Sequence, residues 1–142
     1  MDRWLPCTAA VVLAACHAYE SNASGTVSVQ GSSMLGTWTS SVDDCEKADG
    51  ITLLDRGVAV IAVANGPVAG NSIELPDPSG GSPVQLFAAN CRTLKVDTYF
   101  NGVTVTNNSV TDDQEISGSV SADCDLPDGG TVTANATFSN CL

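Results

Sequence analysis

Three aspartates, Asp123, Asp125 and Asp128, stand within six residues, just ahead of Gly129-Gly130. Hard carboxylate oxygens at that density suggest calcium, which takes six to eight oxygen ligands at about 2.3–2.6 Å. The spacing departs from an EF-hand loop: Asp128 stands one residue past the third ligand position, and Ala134 occupies the place of the bidentate glutamate. The simpler reading is structural, because Pro127-Asp128-Gly129-Gly130 is turn chemistry and the other two carboxylates can be solvated. No metal or cofactor is assigned, and the three aspartates stand as weak calcium candidates. The other acidic clusters, Asp43-Asp44 and Asp112-Asp113 with Glu115, are candidates for the paired carboxylates of glycoside hydrolysis only in the sense that any acidic loops are. Nucleophilic catalysis needs an imidazole or an equivalent base beside the nucleophile, and the sole histidine, His17, lies near the start of the chain. No H-E-x-x-H, G-x-S-x-G or phosphate-cradling glycine loop occurs. The chain is not expected to be an enzyme, and no catalytic residue is assigned.

Cysteine is the remaining chemistry. Cys16 follows Leu13-Ala14-Ala15 at the end of an apolar run, Trp4 to Val12, which itself follows Arg3. A basic start, an apolar stretch and small residues before a cut make an export signal. The run is too short for a spanning helix, which takes about 20 apolar residues. The tetrapeptide resembles the lipobox of bacterial lipoproteins. That resemblance implies a diacylglyceryl thioether on Cys16, removal of residues 1–15 and a mature chain held at a membrane. One acyl chain anchors only reversibly, at about 0.8 kcal/mol per buried methylene, and the two or three chains of bacterial lipoproteins meet the need for more. With Cys7 leaving in the signal and Cys16 carrying lipid, Cys45, Cys91, Cys124 and Cys141 remain. An even set in an exported chain reads as two disulfides. Zinc is a poor rival without any C-x-x-C spacing.

The elements that must position these residues read as strands throughout. Residues 16–25 form the lipidated cysteine and a polar tether, and 26–142 a single β domain. Candidate strands are 26–30, 36–40, 51–54, 57–64, 72–75, 84–88, 92–100, 103–109, 115–123 and 131–139, separated by Gly, Pro, Asn and Asp clusters. Asn101-Gly102 is a two-residue hairpin signal, since a type I′ turn needs positive φ at both central residues. It would pair Phe100 with Val103 and Thr98 with Val105. Leu94, Val96, Phe100, Val103 and Val105 would then face inward, with Lys95, Asp97, Tyr99, Thr104 and Thr106 outward. A second hairpin at Pro127–Gly130 would set Ile116, Val120 and Ala122 against Val132, Ala134, Ala136 and Phe138. Such alternation implies an antiparallel sheet with one wet face. In that second hairpin Cys124 lies by the turn and Cys141 beyond the far end, more than about 20 Å away at ~3.4 Å per residue. A disulfide spans about 7 Å at most between Cα atoms. A four-strand meander would bring Cys91 to the end where Cys141 finishes, so the expected pairs are Cys91–Cys141 and Cys45–Cys124.

Bulk composition bounds the function. Five Lys+Arg against 16 Asp+Glu give a net charge of −11, which excludes a basic nucleic-acid footprint. Hydrophobic residues make up 43% of the chain and aromatics 5%, so the core must be built of Val, Ile, Leu and Ala. Gly36-Thr37-Trp38 resembles the G-x-W of the first strand of lipocalin-like barrels, which implies an apolar ligand pocket. The order lipobox, Gly25-Thr26-Val27, Cys45, Cys91, Ile116-Ser117-Gly118-Ser119-Val120, Thr137-Phe138-Ser139-Asn140-Cys141 is similar to the small cysteine-stapled β lipoproteins of myxobacteria and their relatives. That resemblance covers most of residues 16–142 and brings no catalytic residues. The expectation is an all-β antiparallel meander forming a sandwich or partly closed barrel. It would sit lipid-anchored in the cell envelope, at the outer membrane facing periplasm or exterior. There it would serve as a structural or interaction module toward an envelope or extracellular partner. A lipocalin-like carrier of a small apolar ligand is the alternative.

Overall fold

The computed structural model describes residues 20–66, 68, 70–101, 105–106, 109–110 and 115–142. Its fold is all-β, two antiparallel sheets of five strands each that do not close into a barrel. The first sheet holds β1 (Asn22–Ser32), β2 (Gly36–Val42), β8 (Cys91–Asn101), β11 (Glu115–Asp125) and β12 (Thr131–Cys141), in the order β2-β1-β12-β11-β8. The second runs in chain order through β3 (Asp44–Lys47), β4 (Ile51–Asp55), β5 (Val58–Gly66), β6 (Gly70–Leu75) and β7 (Val84–Phe87). A two-residue ribbon, β9 (Val105–Thr106) with β10 (Ser109–Val110), pairs only with itself. The sandwich is thus the architecture, and the barrel expected as its alternative, on which the lipocalin resemblance depended, does not form.

Strands of the second sheet run across those of the first. The β4–β5 hairpin starts beside β2, where Asp43 N donates to Leu54 O at 2.9 Å. It ends at the opposite edge, where Asn65 Nδ2 donates to Val96 O of β8 at 3.1 Å. Asn71, paired with Asn65 across the β5–β6 hairpin, likewise donates to Leu94 O at 3.2 Å. Two side-chain amides therefore satisfy backbone carbonyls on the outer edge of β8, an edge that would otherwise invite a further strand. Crossed packing of this kind turns its corners where strands change sheet. Here the corner is Asp43, whose carbonyl accepts from Ala23 N at 3.3 Å while its carboxylate accepts from Arg56 N at 3.1 Å.

The core lies between the sheets. Val27, Val29, Val132 and Ala134 on one side, and Leu53, Ile61, Ile73 and Leu75 on the other, are fully buried. Small Ala122, Ala134 and Ala136 leave room for the larger Ile and Leu side chains opposite, the interdigitation that close packing requires. Gly118 serves the same end within the first sheet. It sits opposite Phe138, and a Cβ there would strike the Asp97 carbonyl and crowd the Phe138 ring. Among the described residues no buried side-chain nitrogen or oxygen lacks a partner.

Several sequence expectations change. Residues 22–25, expected in the tether, are the first four residues of β1, with Gly25 paired to both Ala136 and Val42. β3 has no counterpart among the candidate strands, because Asp44-Cys45-Glu46-Lys47 carries one inward residue and no apolar alternation. Within the expected strand 103–109 the described residues Val105–Thr106 form β9 and Ser109 opens β10, and Val105 pairs with Val110 rather than Thr98. Thr98 instead lies opposite Gly118 of β11, and Phe100 opposite Ile116. Residues 102–104 fall outside the described set, as does any Phe100–Val103 pair. Phe100, expected in the core, is 61% exposed.

Removing one strand from the meander reverses which end of the sheet each cysteine reaches, and this corrects the pairing. β8 runs antiparallel directly against β11, so Cys91 lies opposite Cys124 and is bonded to it. Cys45 and Cys141 form the second disulfide, with Cα atoms 5.4 Å apart. The expected Cys91–Cys141 and Cys45–Cys124 pairs are not formed. Cys124 and Cys141 do lie at opposite ends of the β11–β12 hairpin, as its length required. The two disulfides hold different things together. Cys91–Cys124 staples two neighbours in one sheet, whereas Cys45–Cys141 bolts the sheets to each other.

Candidate functional site

The three calcium candidates do not converge. Asp128 sits at the tip of the β11–β12 hairpin, where Leu126 N donates to Gly130 O at 2.8 Å and Gly129 takes φ +90°. Its carboxylate reaches back to the β1–β2 loop. Oδ2 accepts from Ser32 Oγ at 2.8 Å, Ser33 Oγ at 3.3 Å and Met34 N at 3.1 Å, and Oδ1 accepts from Gly130 N at 3.0 Å. These donors, the backbone N–H of Met34 foremost, hold its pKa well below the usual carboxylate range. Asp128 is thus a clamp between two loops, its oxygens already occupied.

Asp123 and Asp125 point to the outer face of the first sheet, toward Arg92 on β8. The guanidinium grips Asp123 with two bonds, Nη2 to Oδ1 at 2.6 Å and Nε to Oδ2 at 3.2 Å, and reaches Asp125 Oδ1 through Nη1 at 2.9 Å. The hydrogen bonds from Arg92 lower the Asp123 pKa. This fork lies beside the Cys91–Cys124 disulfide, where a β-bulge shifts the β8–β11 register between Asp123 and Cys124. Among the described residues no group of three or more His, Cys, Asp or Glu side chains is arranged to hold a metal ion.

Of the acidic pairs, Asp43 and Asp44 are engaged at the sheet-crossing corner. Asp44 Oδ1 accepts from Ser21 Oγ at 2.6 Å and from Cys45 N at 2.8 Å. Asp112 and Asp113 lie outside the described residues, as do Cys16 and His17. Trp38 packs its partly buried ring against the core and donates Nε1–H to Leu35 O at 3.0 Å, a structural role.

The feature that sequence reading missed is a shallow groove at the end of the first sheet where β1 begins. Asn22 and Ser24 line one side and Asp97 and Tyr99 the other, with Gly118, Ser119 and Thr137 between them. It encloses about 370 Å³ and is open to solvent. Small side chains keep the middle of the groove low, and the Tyr99 ring is 60% exposed at its rim. Asp97 is neighboured by Lys95, Nζ to Oδ2 at 3.6 Å. Such a surface can stack and hydrogen-bond, but it carries no nucleophile paired with a base. Outward alternation of Lys95, Asp97 and Tyr99 was legible in β8; what lay across from them was not, because the alternation pointed to a different partner strand. No family model matches the chain, and neither a curated protein nor a solved structure is found to match it.

Proposed function

We propose that this chain is a lipid-anchored envelope protein, acylated on Cys16 after loss of residues 1–15, whose β sandwich acts as a structural or interaction module without catalysis of its own. The observation that carries the reading is Leu13-Ala14-Ala15-Cys16, placed five residues ahead of Ser21 and the start of an ordered β domain. Two further facts support it. The domain is stapled by two disulfides, as suits an oxidising compartment. The three aspartates considered as calcium ligands are spent on architecture: Asp128 on a loop clamp, Asp123 and Asp125 on Arg92. The groove beside Tyr99 and the polar outer face of the first sheet are the surfaces available to an envelope or extracellular partner.

The test is the mature N-terminus. Intact-mass measurement should show residues 1–15 gone and a diacylglyceryl adduct on Cys16, with processing blocked by globomycin. Cys16→Ser should release the protein from membranes at unchanged melting temperature. An unmodified chain that still begins at Met1 would remove the proposal.

A further inference from the structure

We infer that the end of the sandwich carrying Tyr99, Phe100 and Leu142 docks on the interface of a neutral, zwitterionic bilayer, so that the lipid anchor fixes the orientation of the domain as well as its location. The inference rests on the proposed acylation of Cys16 and deepens it. Glu20 is held at the β12 end of the sheet, its carbonyl accepting from Asn140 Nδ2 at 3.5 Å. Four Cα steps separate Glu20 from Cys16, a reach of at most about 14 Å. Whatever path residues 17–19 take, that end of the sandwich stays within this distance of the acylated residue.

The same end displays exposed aromatic and aliphatic side chains. Ile116 is paired with Phe100 on one side and with Cys141 on the other, which places Phe100 two strands, about 10 Å, from Cys141, the residue before Leu142. Tyr99 lies one residue back, across the groove from Asn22. Tyr99, Phe100 and Leu142 are 60%, 61% and 50% exposed. Among the described residues the other exposed large hydrophobics, Met34, Val58, Val68 and Phe87, are scattered singly over separate loops and strand ends. Aromatic side chains favour the headgroup level, where an apolar body and a wet edge are both satisfied.

Charge selects the lipid. Glu20 by Asn140, Glu46 beside Lys47, whose N–H donates to Leu142 O, and Glu115 opposite Asn101 stand near this rim, and the chain carries −11 overall. Contact with an anionic surface would be repelled, so the docking is apolar and insensitive to salt.

The experiment uses the full chain, lipidated in a bacterial host and reconstituted in phosphatidylcholine vesicles with or without bromine on the acyl chains. Phe100→Trp and Met34→Trp are compared with the parent, whose Trp38 emission is subtracted. Bromine should quench the added emission at position 100 roughly twofold, as expected for a ring at the interface. Emission at position 34, in the loop beyond the other end of β1, should be unchanged. Tyr99→Trp provides a second reporter and should behave like position 100. A protein with the lipid adduct on Cys16 but equal emission in both vesicle types overturns the docking while leaving the anchor intact. Blue-shifted emission at position 100 that ignores bromine also overturns it, since a protein partner or second copy would then cover the rim. Absence of the adduct overturns both readings.

Discussion

Two comparably strong turn signals in this sequence border strands that find their partners in different ways. Pro127-Asp128-Gly129-Gly130 closes the β11–β12 hairpin in the register its alternation implied, with Ala122 opposite Ala134 and Val120 opposite Ala136. Asn101-Gly102 follows a strand just as alternating, yet β8 finds its partner in β11, which begins at Glu115. The difference lies in what surrounds each turn. The first is fastened from outside by Ser32, Ser33 and Met34 bonding to Asp128, and both its strands have apolar faces to bury. At the end of β8 the second sheet no longer covers the strand, as the exposure of Phe100 shows. A type I′ dipeptide lowers the cost of turning the chain, but burial decides which strand lies alongside.

The largest test of this contrast is at the disulfides. Cys45–Cys141 closes a separation of 96 residues and its sulfurs are buried between the sheets, whereas Cys91–Cys124 closes 33 within one sheet. In the chain-entropy model these contribute about 4.7 and about 3.7 kcal/mol respectively. Replacing Cys45 and Cys141 together by alanine should therefore lower unfolding stability the more, by a margin that denaturant titration resolves. Equal losses would mean that the inter-sheet bolt is no more than a second staple. Non-reducing peptide mapping checks the connectivity itself. Next in size is Gly118→Ala. If β8 pairs with β11 as described, the new methyl meets the Asp97 carbonyl and the Phe138 ring, and overpacking should cost about 1–3 kcal/mol. Wild-type stability in this variant would contradict the β8–β11 register.

Alternation made most strands legible, and with them the fold class, because inward apolar residues recur at every second position: Ile51 and Leu53 in β4, Val120, Ala122 and Cys124 in β11, and Val132, Ala134, Ala136 and Phe138 in β12. It could not reveal β3, whose four residues owe their strand geometry to pairing with β4 and to the Cys45 disulfide rather than to their own pattern. Nor could it tell how far one sheet extends over the other, which is why Phe100 reads as core and stands in solvent. The pairing of cysteines failed for a single countable reason: one strand too many between β8 and β11. The site residues were legible by type but not by partner. Asp123, Asp125 and Asp128 are near neighbours in sequence, yet a β-bulge and a turn send the first two to Arg92 and the third to Ser32. Arg92 itself left only the mark of a lone cation beside a cysteine.

Asp128 gives the next prediction, of a few degrees in melting temperature. Its carboxyl is held below its ordinary value, so it contributes stability that is present above the unfolded pKa of about 3.9 and is lost as pH falls through the folded value. Asp128→Asn retains the shape but weakens the acceptor, and should both lower the melting temperature at pH 7 and flatten the acid limb of stability below about pH 4. A parallel downward shift of the whole profile would mean that the clamp works by shape alone.

The smallest effect is expected at Arg92. Its ion pairs are exposed, 54% for Arg92 and 42% and 63% for Asp123 and Asp125, and solvent screens such pairs. Arg92→Ala should leave the melting temperature nearly unchanged even though three hydrogen bonds disappear. Its signature is instead in titration: carboxyl NMR should show the Asp123 pKa rising toward its ordinary value, while that of Asp128, served by a different set of donors, stays depressed. If both carboxyls moved together, the three aspartates would form one electrostatic unit after all, and the separation of clamp from fork would be lost. If only Asp123 moves, the same run of six residues contains two unrelated devices, one holding loops together and the other neutralising acidic charge beside a disulfide.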